Sequence, residues 1–143
     1  VEPFTVVVLE QEEGKTTGLY EFVWDGKKKH VFRPDMKKPA LWSSVTLYSS
    51  ENRRQRQQWF KSFLSQNVGT ITPEKVLAFH SGRHTSDNTV NLVMEREGEL
   101  KTVSITQVTV QANGFLMFYH DLIRLTDNEM KLWVKNKNIP VLP

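Results

Sequence analysis

Cysteine is absent from this sequence. The chain therefore holds no disulfide, no thiolate nucleophile and no thiolate metal ligand, and it suits a reducing, cytoplasmic compartment. No apolar run approaches the roughly 18 residues that a spanning helix requires, so membrane insertion is not expected. The opening stretch, VEPFTVVVLE, is acidic where a secretory leader would be basic. Basic excess is small as well. Nineteen Lys and Arg stand against 16 Asp and Glu, a net +3, which falls short of the dense positive footprint of a nucleic-acid binder. Repeats, low-complexity tracts and linkers are missing. So are the phosphate-loop pattern, H-E-x-x-H and G-x-S-x-G, and no cofactor motif replaces them.

What remains is 143 residues with 38% hydrophobic and 24% charged side chains, enough for a single domain that buries a core. Strand signals lead. Phe4 to Leu9 is β-branched and apolar, Leu19 to Trp24 alternates, and His30 to Arg33 follows the Asp25-Gly26 pair, which predicts a hairpin with Gly26 at positive φ. Pro34 and Pro39 mark a loop, and Leu41 to Tyr48 reads as a half-buried strand rich in hydroxyls.

Two helices are expected next. Ser49 or Ser50 followed by Glu51 supplies a cap and a first-turn acid for a helix to about Leu64, with Arg53, Arg56, Phe60, Phe63 and Leu64 near one stripe and Trp59 beside them. Gln55, Gln58 and Lys61 then face water. Arginines on an apolar stripe need partners, because an unpaired buried guanidinium pays heavily for lost hydration. Thr72-Pro73-Glu74 starts a shorter helix that stops near Gly82. Strands resume at Leu92 to Glu95, Leu100 to Val110 across a Gly98 turn, and Phe115 to His120 across Asn113-Gly114. The tail, Asp127 to Lys135, reads as a last helix before Pro140 and Pro143. The pattern is α+β.

Chemistry is less legible than structure. His80 and His84 have helical metal-ligand spacing, but Ser81-Gly82 interrupts the helix between them, so no metal is expected. His30 and His120 read as hydrogen-bonded structural residues. The loop around Arg83, His84, Asp87 and Asn88 is either a ligand site or a solvated connection. Ser43 and Ser44 have no His and Asp beside them in sequence, and a hydroxyl without a base is a poor nucleophile.

Seven stretches in one order carry a family likeness: PFTVVVLE, LYEFVWDGKKKH, LWSSVTLYSSENRRQRQQWFKSFL, FHSG, VMER, KTVSITQV and FYHDL. Together they resemble the second half of the NRDE family, relatives of the transport and Golgi organisation proteins, in the bacterial branch with W-S-S-x-x-L-Y and R-x-x-R-x-x-W-F. The resemblance implies part of an N-terminal-nucleophile (Ntn) hydrolase αββα sandwich whose nucleophile is a cysteine after the initiator Met. That cysteine and the N-R-D-E motif belong to a first half not found here, so the start at Val1 reads as the C-terminal portion of a longer protein.

The same resemblance assigns roles. Related cysteine amidohydrolases place an oxyanion-donating asparagine near LWSS, so Ser44, with Ser43 beside it, is expected to contact the oxyanion or substrate. Losing such a donor commonly costs ~3 kcal/mol of transition-state stabilisation. Arg53 and Arg56 are expected to pin the helix against the serine strand through carboxylates or carbonyls, and Trp59, His80 and Asp121 fall at matching structural or binding positions. The implied function is amide or acyl hydrolysis only with the missing N-terminal portion, which is the expected partner together with self-association. A non-catalytic trafficking or haem- or lipid-binding module and a generic interaction domain are the alternatives.

Overall fold

A computed structural model describes residues 1–12, 15–44, 47–96, 98, 100–111 and 114–133. The fold is α+β, with two helices and three small sheets among these residues. The chain divides into two compact units: Val1–Pro39, Val108–Met117 and Met130 onward form the first, Ala40–Gln107 and Phe118–Glu129 the second. No helix of the described residues is long and apolar enough to cross a membrane.

In the first unit β1 (Phe4–Glu12), β2 (Lys15–Trp24) and β3 (Lys29–Phe32) pair antiparallel in sequence order. The Asp25-Gly26 turn forms as expected. Asp25 Oδ1 accepts from the amides of Lys27 and Lys28, each at 2.7 Å, and Gly26 takes φ 93°, a conformation that only glycine adopts without steric cost. Register sets Phe4 opposite Trp24, and Val6 opposite Phe22, which in turn faces Val31. Because side chains alternate along a strand, Phe4, Val6 and Val8 share one face while Val7 and Leu9 share the other. All five are exposed, at 39% or more.

Burial of large apolar side chains falls instead in the second unit, on Tyr48, Phe79, Val90 and Met94. Helix α1 (Ser50–Gln66) begins where Ser49 Oγ accepts from the Asn52 amide at 3.1 Å. Helix α2 (Pro73–Ser81) begins where Thr72 Oγ1 accepts from Lys75, and it ends at Gly82. Phe60 and Phe63 of α1 meet Phe79 of α2, with ring centroids 5.8 and 4.9 Å away. The short hairpin of β4 (Glu95–Arg96) and β5 (Leu100–Lys101) turns at Gly98, φ 70°.

β6 (Ser104–Gln111), β7 (Gly114–Asp121) and β8 (Thr126–Trp133) form the third sheet, in sequence order. Between β7 and β8, Asp121 Oδ1 accepts from the amides of Ile123 and Arg124, each at 2.9 Å, and Leu125 takes φ 55°. This side-chain mimic of a turn reverses the chain.

Several expectations are corrected. Leu41 to Ser44, Leu47 and Tyr48 are not strand, because helix and hairpin side chains take their backbone groups: the Leu41 carbonyl accepts from Gln57 and the Leu47 carbonyl from Arg96. The expected tail helix is strand β8 from Thr126 to Trp133, since the Asp121 turn sends it back beside β7 and tertiary pairing overrides the helix propensity of Glu129, Met130 and Lys131. The strand from Leu92 shrinks to β4, and the one from Leu100 breaks at Thr102, whose hydroxyl accepts from the Met94 amide. Gln55 is half-buried, not solvated. Val45, Thr46, Asn113, Lys135, Pro140 and Pro143 lie outside the described residues.

Candidate functional site

Helix α1 and the Leu41–Ser43 segment enclose a groove of about 920 Å³ in the second unit. Trp42 and Ser43 form one side; Arg53, Arg54, Gln58 and Lys61 project from the helix. Gln57 Nε2 donates to the Leu41 carbonyl at 2.8 Å and so ties the two sides together. Among the described residues three cations line this groove and no carboxylate does. Arg54 pairs across one helical turn with Glu51, but both side chains are more than two-thirds exposed, and such pairs contribute little.

Beneath α1 the arginines meet backbone. Arg53 donates to the Tyr48 carbonyl. Arg56 is only 5% exposed; its Nε donates to the Val90 carbonyl at 3.1 Å, its Nη2 to the Asn91 carbonyl, and its guanidinium lies over the Tyr48 ring. Burial lowers the Arg56 pKa from its ordinary value, with the neighbouring Tyr48 opposing the shift. Tyr48 in turn donates its hydroxyl to Met94 Sδ at 3.2 Å, and Arg96 approaches the same ring at 5.7 Å.

Asn91, 2% exposed, organises the neighbouring loop. Its Oδ1 accepts from the amides of His84 and Thr85, and its Nδ2 donates to the carbonyls of Thr85 and Asp87. The loop therefore has a defined shape. Arg83 turns back onto the carbonyls of Thr85 and Ser86, Asp87 accepts from Thr89, and the Asn88 carbonyl accepts from the Glu95 amide. The hydrogen bonds from the Thr89 side chain and amide lower the Asp87 pKa.

The histidines are committed locally. His80 Nδ1 donates to the Val76 carbonyl at 2.9 Å and His84 Nε2 to the Phe79 carbonyl at 2.8 Å, each carbonyl requiring the proton on that nitrogen. His84 also stacks on Trp59 at 4.9 Å. No group of three or more His, Asp or Glu suited to a metal occurs among the described residues. His30 meets Asp25 at 2.8 Å, and His120 pairs with Asp127.

Of the residues that the resemblance singles out, Ser43 and Arg53 line the groove. Ser44, Arg56, Trp59, His80 and Asp121 do not. Ser44 Oγ accepts from the Leu47 amide at 3.3 Å, and Asp121, 8% exposed, holds the β7–β8 turn, where the amides of Arg124 and Ile123 lower its pKa. Sequence reasoning passed over Trp42, Arg54, Gln58 and Lys61 as groove residues. Their signal was available: Ser50, Arg54, Gln58, Lys61 and Ser65 recur at helical spacing, and Glu51 is the one acid in α1.

No family model, no curated protein and no solved structure matches this chain.

Proposed function

We propose that this chain is the C-terminal portion of an NRDE-type, Ntn-hydrolase-like protein, inactive alone, whose upstream portion supplies a cysteine for amide or acyl hydrolysis. The observation that carries the reading is the β1–β3 sheet. Phe4, Val6 and Val8 on one face and Val7 and Leu9 on the other are all exposed. A sheet apolar on both sides is built to be covered on both sides, as the inner layers of an αββα sandwich are. Ser43 and Ser44 then offer hydroxyls to the oxyanion or substrate, and the uncovered sheet promotes self-association of the chain by itself.

The full-length protein is expected to hydrolyse an acyl p-nitroanilide and to lose that activity when the upstream cysteine is replaced, while the 143-residue chain turns nothing over. Turnover by the isolated chain that Ser44→Ala abolishes would overturn the proposal. So would a full-length protein with no cysteine after its initiator Met. Sedimentation of the isolated chain is expected to show association rising with concentration; a clean monomer counts against the uncovered sheet.

A hollow of about 570 Å³ on this sheet, lined by Phe4, Phe22, Trp24, His30 and Val31, favours a second reading, a non-catalytic haem- or lipid-binding module. A Soret band on haem titration, or quenching of Trp24 by a fatty acid, in a full-length protein without hydrolase activity would select it.

A further inference from the structure

We infer that the groove along α1 binds an extended acidic peptide segment. The inference stands on the groove itself and requires no turnover. From Ser50 to Ser65 the helix rises about 22 Å, which is the length of roughly seven residues of extended chain. A single small acid would occupy only a fraction of that strip.

Charge is the first reason for this ligand. The whole chain carries an excess of only +3, yet Arg53, Arg54 and Lys61 all line the groove and, among the described residues, no carboxylate does. Arg54 pairs with Glu51 in an exposed pair that a ligand carboxylate can replace at little cost. Arg54 and Lys61 lie seven residues apart on the helix, about 10 Å along its axis, between the roughly 7 Å and roughly 13 Å that separate carboxylates two and four residues apart on one face of an extended peptide.

The neutral lining is the second reason, and it separates a peptide from a polyphosphate. A phosphodiester backbone offers acceptors only, whereas a peptide alternates N–H donors with C=O acceptors. Gln58 presents both an amide donor and a carbonyl acceptor, and Ser43, Ser50 and Ser62 carry hydroxyls that do either. Gln57 spends its amide nitrogen on the Leu41 carbonyl and keeps its oxygen to accept. Trp42 adds an apolar wall for the peptide's side chains.

The test is fluorescence anisotropy of the full chain with a fluorescein-labelled heptapeptide that alternates glutamate and serine. The matching glutamine–serine peptide and a short oligothymidylate competitor complete the set. The glutamate peptide is expected to bind, weakening as salt is raised. The glutamine peptide should bind about ten-fold more weakly, and Lys61→Glu should cost the glutamate peptide about ten-fold, a loss of roughly 1.4 kcal/mol. Lys101→Glu, the same charge change on exposed β5, should stay within about two-fold. Gln58→Ala, which leaves every charge in place, should also weaken the peptide.

The inference is overturned if neither peptide binds, if the glutamine peptide binds equally, or if the two lysine variants lose the same affinity. Displacement of the peptide by oligothymidylate at lower concentration than unlabelled peptide would assign the groove to polyphosphate instead. Hydrolysis by the full-length protein bears on none of these outcomes.

Discussion

The Arg56 guanidinium carbon lies 3.6 Å from the centroid of the Tyr48 ring, and no carboxylate pairs with this buried cation among the described residues. Its charge is compensated by the π-face and by the carbonyls of Val90 and Asn91. One side chain thereby joins α1, the segment before it and the loop that precedes β4.

Replacing Arg56 is therefore expected to cost more than its packing. Arg56→Ala leaves two buried carbonyls without donors and uncovers one face of Tyr48, a loss of about 2–4 kcal/mol. Arg56→Lys keeps the charge but cannot make the planar stack and both carbonyl bonds together, so it should fall between wild type and alanine. Urea unfolding measures both; an alanine variant within error of wild type would refute the pinning role.

Asn91 is the second anchor. Asn91→Asp changes hardly any volume but replaces the amide donor facing the Thr85 and Asp87 carbonyls with an acceptor. The expected loss is about 2–3 kcal/mol, with hydrogen exchange quickening at the amides of His84 and Thr85. Unchanged protection at those amides would show that the loop holds its shape without this side chain.

Acid should weaken the β2–β3 turn. The Asp25 pKa is lowered to about 2, chiefly by the His30 hydrogen bond and then by the Lys28 and Lys27 amides. A carboxyl whose folded pKa lies below its unfolded value of about 3.9 contributes stability above that value, and the contribution disappears as pH falls through the folded pKa. The difference in Tm between wild type and Asp25→Asn is thus expected to be full at neutral pH and to close towards pH 2. A gap that does not vary with pH would mean that the carboxylate's charge plays no part.

Leu125 offers a stabilising change. It is 77% exposed and sits at φ 55°, where a β-carbon crowds the backbone. Leu125→Asn removes little packing and suits the left-handed conformation, so a gain of about 0.5–1 kcal/mol is expected, read as a rise in Tm. A fall in Tm would indicate that the leucine makes a contact worth more than its strain.

Local features were legible in the residues because local forces make them. Ser49 and Thr72-Pro73 start helices through bonds to amides three residues on, and Asp25-Gly26 turns a hairpin within four residues. Leu41–Ser44, Leu47 and Tyr48, and the tail as far as Trp133, depart from their local pattern for the opposite reason: their state depends on residues far along the chain. The Leu47 carbonyl accepts from Arg96, 49 residues away, and β8 exists because the Asp121 turn lays it beside β7.

The groove divides in the same way. The run SENRRQRQQWFKSFLSQ by itself determined a capped, basic helix with Ser50, Arg54, Gln58, Lys61 and Ser65 at one spacing. Only tertiary structure decided that Arg56 turns inward to Val90 while Arg54 and Lys61 face Trp42 across a cleft. Helical periodicity sorts side chains into faces, but what each face meets is set by non-local contacts, 16 residues apart for Gln57 with Leu41 and 34 for Arg56 with Val90, which no local pattern encodes.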